Sequence, residues 1–196
     1  MKKLLLILTL TLLSYAAMAQ SVAVIDMSVI GKSDYVTNST KELEAQYIKS
    51  QTELKIRQDC RFLGENEITE LINLVVSKGD EAKIKEFQNT NDKRYDELQT
   101  LNQTKELTDE QKTRLQELNN ITKKSGENFE NRQNALADSF NALQEKKDAE
   151  IFDAIKTACE KVAKEKNYSI VIEKNSVFFG GDDITKDVIA ALPKAN

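Results

Sequence analysis

The sequence has no histidine and no tryptophan, one proline, six glycines and two cysteines in 196 residues. The missing histidine excludes Ser-His and Cys-His nucleophile pairs and imidazole metal ligands. Average usage is about 5% proline and 7% glycine. So few helix breakers, with 31% charged and 6% aromatic residues, point to long helices rather than a compact α/β enzyme. Cys60 and Cys159 do not make a disulfide framework. Both fall in helical patterns and read as small apolar residues on helix faces. The longest apolar run, Leu4 to Leu13, is short of the roughly 20 residues that a spanning helix needs.

That run is better explained as a secretory signal. Lys2 and Lys3 form a basic start, Ser14 and Tyr15 break the apolar stretch, and Ala17-Met18-Ala19 is a small-x-small cleavage pattern. Residues 1–19 are therefore expected to be removed, with the cut after Ala19. Removing Lys2 and Lys3 from 28 basic residues leaves 26 against 32 acidic ones, a formal charge of −6. An acidic chain argues against nucleic acid, whose binding needs clustered Lys and Arg. It argues equally against a polybasic membrane-surface role, and no later segment is apolar enough for stable membrane insertion.

Residues 21–26, SVAVID, alternate with β-branched side chains and read as a short strand. From about Thr37 the pattern turns helical. Leu43, Tyr47 and Leu54 begin an apolar stripe, and Ile84, Phe87, Tyr95, Leu98 and Leu101 continue one. Gly64 and Lys78-Gly79-Asp80 interrupt it, which predicts a kink, a stutter or a short break. Thr108, with Gln111 three residues on and Asp109 and Glu110 between, is a capping box. Leu115, Leu118, Phe129, Leu136, Phe140, Leu143, Ile151, Ile155 and Val162 then follow at near 3-4 spacing, with Gln133 and Lys147 in the seam. This is a diluted heptad stripe.

The capping box lies between two helical halves. The pattern predicts an antiparallel hairpin over residues 37–167 with its tip near 102–108. Folding back brings the strand at 21–26 beside YSIVIEK at 168–174. The terminal piece reads as strand, turn, a second short run at Val177-Phe178-Phe179, the Gly180-Gly181-Asp182-Asp183 turn, and a short helix with Thr185 as its cap. The fold class is thus α+β, mostly α. A long coiled-coil-like hairpin arm projects from a small β-rich base of residues 20–36 and 168–196, which ends in the short C-terminal helix. So small a base needs further copies of the chain to bury its strand edges. A homo-oligomer is expected, with Val22, Val24, Ile25, Ile170, Ile172 and Phe178 in the assembly surface.

Candidate chemistry is sparse. Paired carboxylates abound, but a solvated helix face explains them, and no enzyme is expected. A phosphate loop at Gly180-Gly181-Asp182-Asp183 would lack its Lys and would carry two repelling aspartates. A calcium site there would lack EF-hand spacing. A turn is the favoured reading, and neither a metal nor a cofactor is expected. The most apolar part of the helical region, Ile68 to Val76, is either interhelical packing or exposed surface for a partner.

VAVIDMSVI, the long charged helical region, NYSIVIEKNSVFF and GGDDITKDVIAAL together resemble the Skp/OmpH family of periplasmic chaperones. The Asp183-Ile184-Thr185 and Asp187-Val188-Ile189 pattern is the strongest match, joined by LTDEQKTRLQEL near the tip. The resemblance implies a periplasmic homotrimer with a β-rich body and three helical hairpins around a cavity. It implies an ATP-independent holdase for unfolded outer-membrane proteins. Leu71, Ile72, Val75 and Phe87 are then the candidate client contacts. The chain departs from the basic character of the family's best-known member, and no residue is assigned to lipopolysaccharide or anionic-membrane contact. Its first helix also exceeds the second by a stretch holding residues 68–76 and Gly79. The rival expectation is a structural or adhesive coiled-coil protein of the cell envelope, which a cleaner apolar seam would have favoured.

Overall fold

A computed structural model describes residues 21–194; the expected signal peptide lies outside the described residues. The chain is mostly helical. In order it forms strand β1 (Val22–Ile25), helices α1 (Met27–Ile30), α2 (Asp34–Asp59), α3 (Glu65–Val76), α4 (Glu81–Gln103) and α5 (Asp109–Glu165), strands β2 (Ile170–Glu173) and β3 (Asp182–Asp183), and helix α6 (Thr185–Ala191). The described residues divide into two compact units, one of residues 21–41 with 146–194 and one of Glu42–Glu145.

The first unit is built on β1. This strand lies in the middle of a parallel three-stranded sheet, with Val22 opposite Ile170 on one side and Ala23 opposite Asp182 on the other. Parallel neighbours need a long crossover, and here the crossover to β2 is everything between Asp26 and Ser169. One face of β1 carries Ala23 and Ile25 into a core with Ile30, Ile184, Val188, Leu192 and the α5 residues Ile155, Ala158 and Val162. The 3-4 spacing of those α5 residues turns one stripe of the helix onto the sheet.

Two expectations for this unit need correction. Val177-Phe178-Phe179 forms no strand; the third strand is Asp182–Asp183. Aspartate is a poor strand residue, so propensity did not decide the matter. Gly180 and Gly181 have φ of 87° and 91°, which lets the chain turn close against β1. A Cβ on Gly181 would lie 2.7 Å from Val24 Cγ1. Nor is Thr185 the cap of α6. The N-cap position is Ile184, and Asp183 just before it accepts through Oδ1 from Thr185 N at 3.0 Å and from Thr185 Oγ1 at 2.6 Å. The freed lone pair of Thr185 Oγ1 accepts from Asp26 N at 2.8 Å. The Asp183-Thr185 pair thus fastens the end of β1 to the start of α6.

In the second unit both suspected interruptions are helix ends. Gly64 N donates to Glu67 Oε2 at 2.7 Å as α3 begins. Asp80 caps α4 by accepting from Ala82 N at 2.9 Å and Lys83 N at 3.3 Å. The capping box before α5 has both its bonds, Thr108 N to Gln111 Oε1 and Gln111 N to Thr108 Oγ1. Helix α5 packs antiparallel to both α2 and α4. Partner numbers in an antiparallel pair add to a near constant. They add to 187 for Tyr47–Phe140 and 185 for Glu53–Arg132, but to 211 for Glu97–Arg114. The difference means that about 25 residues between Glu53 and Glu97 are looped out of the pairing. The excess length of the first helical half is housed there, in α3 and the start of α4.

Candidate functional site

The looped-out segment closes on itself. Leu71 and Ile72, with Cys60, Leu63 and Ile68, form a buried cluster against which Ile56, Val75, Ile84 and Phe87 pack. Leu71 is 2% and Ile72 8% exposed, so of the four candidate partner contacts these two are packing residues in this structure. Val75 and Phe87 lie partly buried at the edge of the same cluster. Of the two readings of residues 68–76, interhelical packing is the one this helix shows, with its apolar stripe covered.

Polar bonds tie this cluster to the rest of α4. Asn91, itself buried, accepts from Phe62 N at 3.0 Å. Arg94 donates to Phe62 O at 3.0 Å and to both carboxylate oxygens of Glu67. These partners lie 27 to 32 residues apart, which no local pattern reveals.

Next to it, α2, the start of α3 and α5 share a charged knot. Glu53 and Arg57, one turn apart on α2, are buried. Arg57 donates from both terminal nitrogens to Glu65, at 3.0 and 2.8 Å. Arg132 of α5 donates to both oxygens of Glu53, and Asn128 Nδ2 to Glu65 Oε2 at 2.8 Å. Burial pushes the Glu53 carboxyl up, but bonds from Arg132 and Arg57 outweigh it and hold it below the ordinary value. The bond from Arg57 holds Glu65 low as well. Sequence reasoning missed the knot, although a signal was present. Counting 3-4 steps from Leu43, Tyr47 and Leu54 puts Ser50 and Arg57 in the seam.

In the first unit, the candidate assembly residues fall in two sets. Val24 and Ile25 are buried within the single chain, Val24 beside Gly181 and Ile25 in the core. Alternation along β1 and β2 turns Val22, Ile170 and Ile172 to the opposite sheet face from Ala23 and Ile25. Ile170 is 41% exposed, and Phe178 and the neighbouring Phe179 stand fully in solvent. A sheet of three short strands with two bare aromatic rings is an apolar surface that asks for cover. The signal for Phe179 was in the sequence, in the run that was read as a strand.

Both cysteines are free thiols; Cys60 belongs to the α3 cluster and Cys159 packs against the sheet core. Among the described residues no group of acidic or cysteine side chains is arranged to hold a metal, and no helix is long and apolar enough to cross a membrane.

A family model described as outer membrane protein (OmpH-like) matches residues 76–192. "Outer membrane protein 26" of Haemophilus influenzae is 40% identical over 60 residues. That match takes in 28% of this chain and 30% of the relative, so the chain covers under a third of the relative's length. No solved structure matches significantly.

Proposed function

Because the chain belongs to the OmpH-like outer membrane protein family, we propose that it is a periplasmic, ATP-independent holdase for unfolded outer-membrane proteins. The family match over more than half of the chain carries this reading. On it, residues 1–19 are a cleaved export signal. Residues 37–167, with a tip near 102–108, are a helical hairpin arm. Residues 20–36 and 168–196 are the base through which three copies join, with Val22, Ile170, Ile172 and Phe178 at the junction.

The physical chemistry of the chain suits such work. The two outer strand edges of the sheet and the bare rings of Phe178 and Phe179 favour self-association of the sheet unit. A sparse seam with buried polar residues gives weaker helix pairing than a full apolar heptad. Adaptable arms with scattered apolar side chains hold a client by many weak contacts without fixing its fold. A net negative chain keeps such a complex dissolved.

The test joins two measurements on the purified protein. Native mass is expected to give a trimer. Dilution of a urea-unfolded outer-membrane β-barrel protein into buffer without nucleotide is expected to leave it soluble at near-stoichiometric ratio. A monomer that leaves the aggregation unchanged would refute the proposal.

A further inference from the structure

The second unit has a shallow groove between α2 and α5, about 240 Å³ in volume, with Tyr47, Ser50 and Leu54 on one wall and Leu136 and Phe140 on the other. None of its nine lining residues is charged, in a chain where 31% of residues are. The rings of Tyr47 and Phe140 meet at 6.0 Å between centroids and 59° between planes. Tyr47 is still 54% exposed, so a face of the pair remains open. The floor is apolar, and the side-chain amides of Gln51 and Gln133 edge it.

Ser50 is the unusual member. It is 7% exposed, and its Oγ has no hydrogen-bond partner. A buried hydroxyl on a helix ordinarily donates to the carbonyl four residues back. Exposed and half-buried hydroxyls of this chain make that bond, as with Ser39 to Tyr35 O, Thr52 to Ile48 O, Thr100 to Asp96 O and Thr122 to Leu118 O, whereas the buried Ser33, Ser50 and Ser125 do not. Leaving a buried hydroxyl unanswered is costly. Ser50 lines an uncharged hollow with its Oγ buried and unpartnered. The other two unpartnered serines, Ser33 and Ser125, do not line this groove, and Ser33 lines one that Asp34 and Lys194 edge with charge.

The volume lies below the roughly 300–1,000 Å³ of small-molecule sites, which favours a single side chain over a whole metabolite. Open aromatic edges take another ring edge-to-face. A hydroxyl and two amides around such a ring match a peptide backbone, which has a donor and an acceptor at each residue. We propose that this groove is a subsite for one aromatic side chain of an unfolded polypeptide, with Ser50 hydrogen-bonded to the backbone beside it. The inference rests on the holdase reading and gives it a place of contact.

The probe is an uncharged extended peptide of serines and threonines with one central 4-fluorophenylalanine, followed by fluorine NMR as the purified protein is added. Its twin carries serine at the centre, with the fluorine label on a terminal acetyl group. Three variants are compared. Ser50→Val removes the hydroxyl and leaves packing. Ala137→Trp fills the groove from its exposed rim. Ser139→Trp places the same bulk on the exposed face of the same helix. Saturable binding of the aromatic peptide is expected, about tenfold weaker in Ser50→Val and Ala137→Trp and unchanged in Ser139→Trp, a drop that corresponds to the loss of one good contact. A purely structural Ser50 would give the opposite split, with altered urea stability and unchanged binding. Equal binding of the serine twin, or undiminished binding by Ala137→Trp, overturns the proposal. Suppression of β-barrel aggregation is measured on the same samples. If the unmodified protein suppresses aggregation and Ala137→Trp does so equally well, the groove proposal falls and the holdase reading stands. If the unmodified protein fails to suppress it, the holdase reading falls, and the peptide titration alone decides the groove.

Discussion

Replacing Gly181 by alanine tests how the sheet is closed. Two costs fall on that one methyl. At φ 91° a side chain meets its own backbone, a strain of about 1–3 kcal/mol for a non-glycine residue. The new Cβ would also lie 2.7 Å from Val24 Cγ1, and Val24 is 4% exposed, so it has little room to retreat. Overpacking of a buried site adds about 1–3 kcal/mol. Gly180 is the internal control. Its φ of 87° gives the same strain, yet a Cβ there meets nothing within 4 Å. Gly180→Ala is therefore expected to cost about 1–3 kcal/mol, and Gly181→Ala about 1–3 kcal/mol more.

Urea unfolding at one fixed protein concentration measures both, the fixed concentration being needed wherever association contributes to stability. A Val24→Ala change in the Gly181→Ala background completes a double-mutant cycle. It removes the clashing methyl, so the two changes together are expected to cost less than their sum. Equal costs at Gly180 and Gly181, or strict additivity with Val24→Ala, would show that contact with Val24 does not hold β3 in place.

Glu53→Ala is expected to cost about 3–5 kcal/mol in urea unfolding, because it strips Arg57 of one partner while Arg57 stays buried. Glu53 and Glu65 both titrate below the ordinary carboxylate value of 4.5. Their stabilisation is therefore complete above that pH and is lost as pH falls through the folded-state values. The urea midpoint of the unmodified protein should be level from pH 7 to 5 and drop below it, with a shallower drop in Glu53→Gln. Phe178→Ser with Phe179→Ser should leave helical circular dichroism unchanged, since both rings are fully exposed, yet shift sedimentation toward the single chain.

Much of this fold could be read from the sequence because it rests on local chemistry. The β1 and β2 alternations, the Thr108–Gln111 capping box and the breaks at Gly64 and Gly79 each announce themselves within a few residues. What stayed hidden was settled by distant partners. Asp182 and Asp183 look like turn residues and Val177-Phe178-Phe179 like a strand, until two positive-φ glycines bring the aspartates against β1. The stripe of Leu71 and Ile72 left packing and exposed surface both open until Asn91 and Arg94, each 32 residues beyond its loop partner Asp59 or Phe62, hold the preceding loop in place. An apolar period gives a face and does not say whether the chain itself already covers it, as it covers Leu71 and Ile72 here.

The seam itself separates a structural rod from a binding surface. Ser50 and Arg57 occupy equivalent seam steps on α2, and each puts a polar group where a coiled coil has an apolar one. The protein treats them differently. Arg57 is answered completely, by Glu53 beside it and by Glu65 across the break, and Glu53 is answered in turn by Arg132. A buried ion pair of this kind favours one register over its neighbours more than it adds stability. It also sits at the step in partner numbering, where register most needs to be fixed. Ser50 lies two turns earlier, where Tyr47–Phe140 and Glu53–Arg132 already agree on the register. A hydroxyl there does nothing for alignment, and a leucine would bind the two helices more tightly. A chain shaped only for stiffness would have filled that step. Leaving it polar, buried and unanswered beside the open ring of Tyr47 makes sense where the second partner of the seam is a passing peptide.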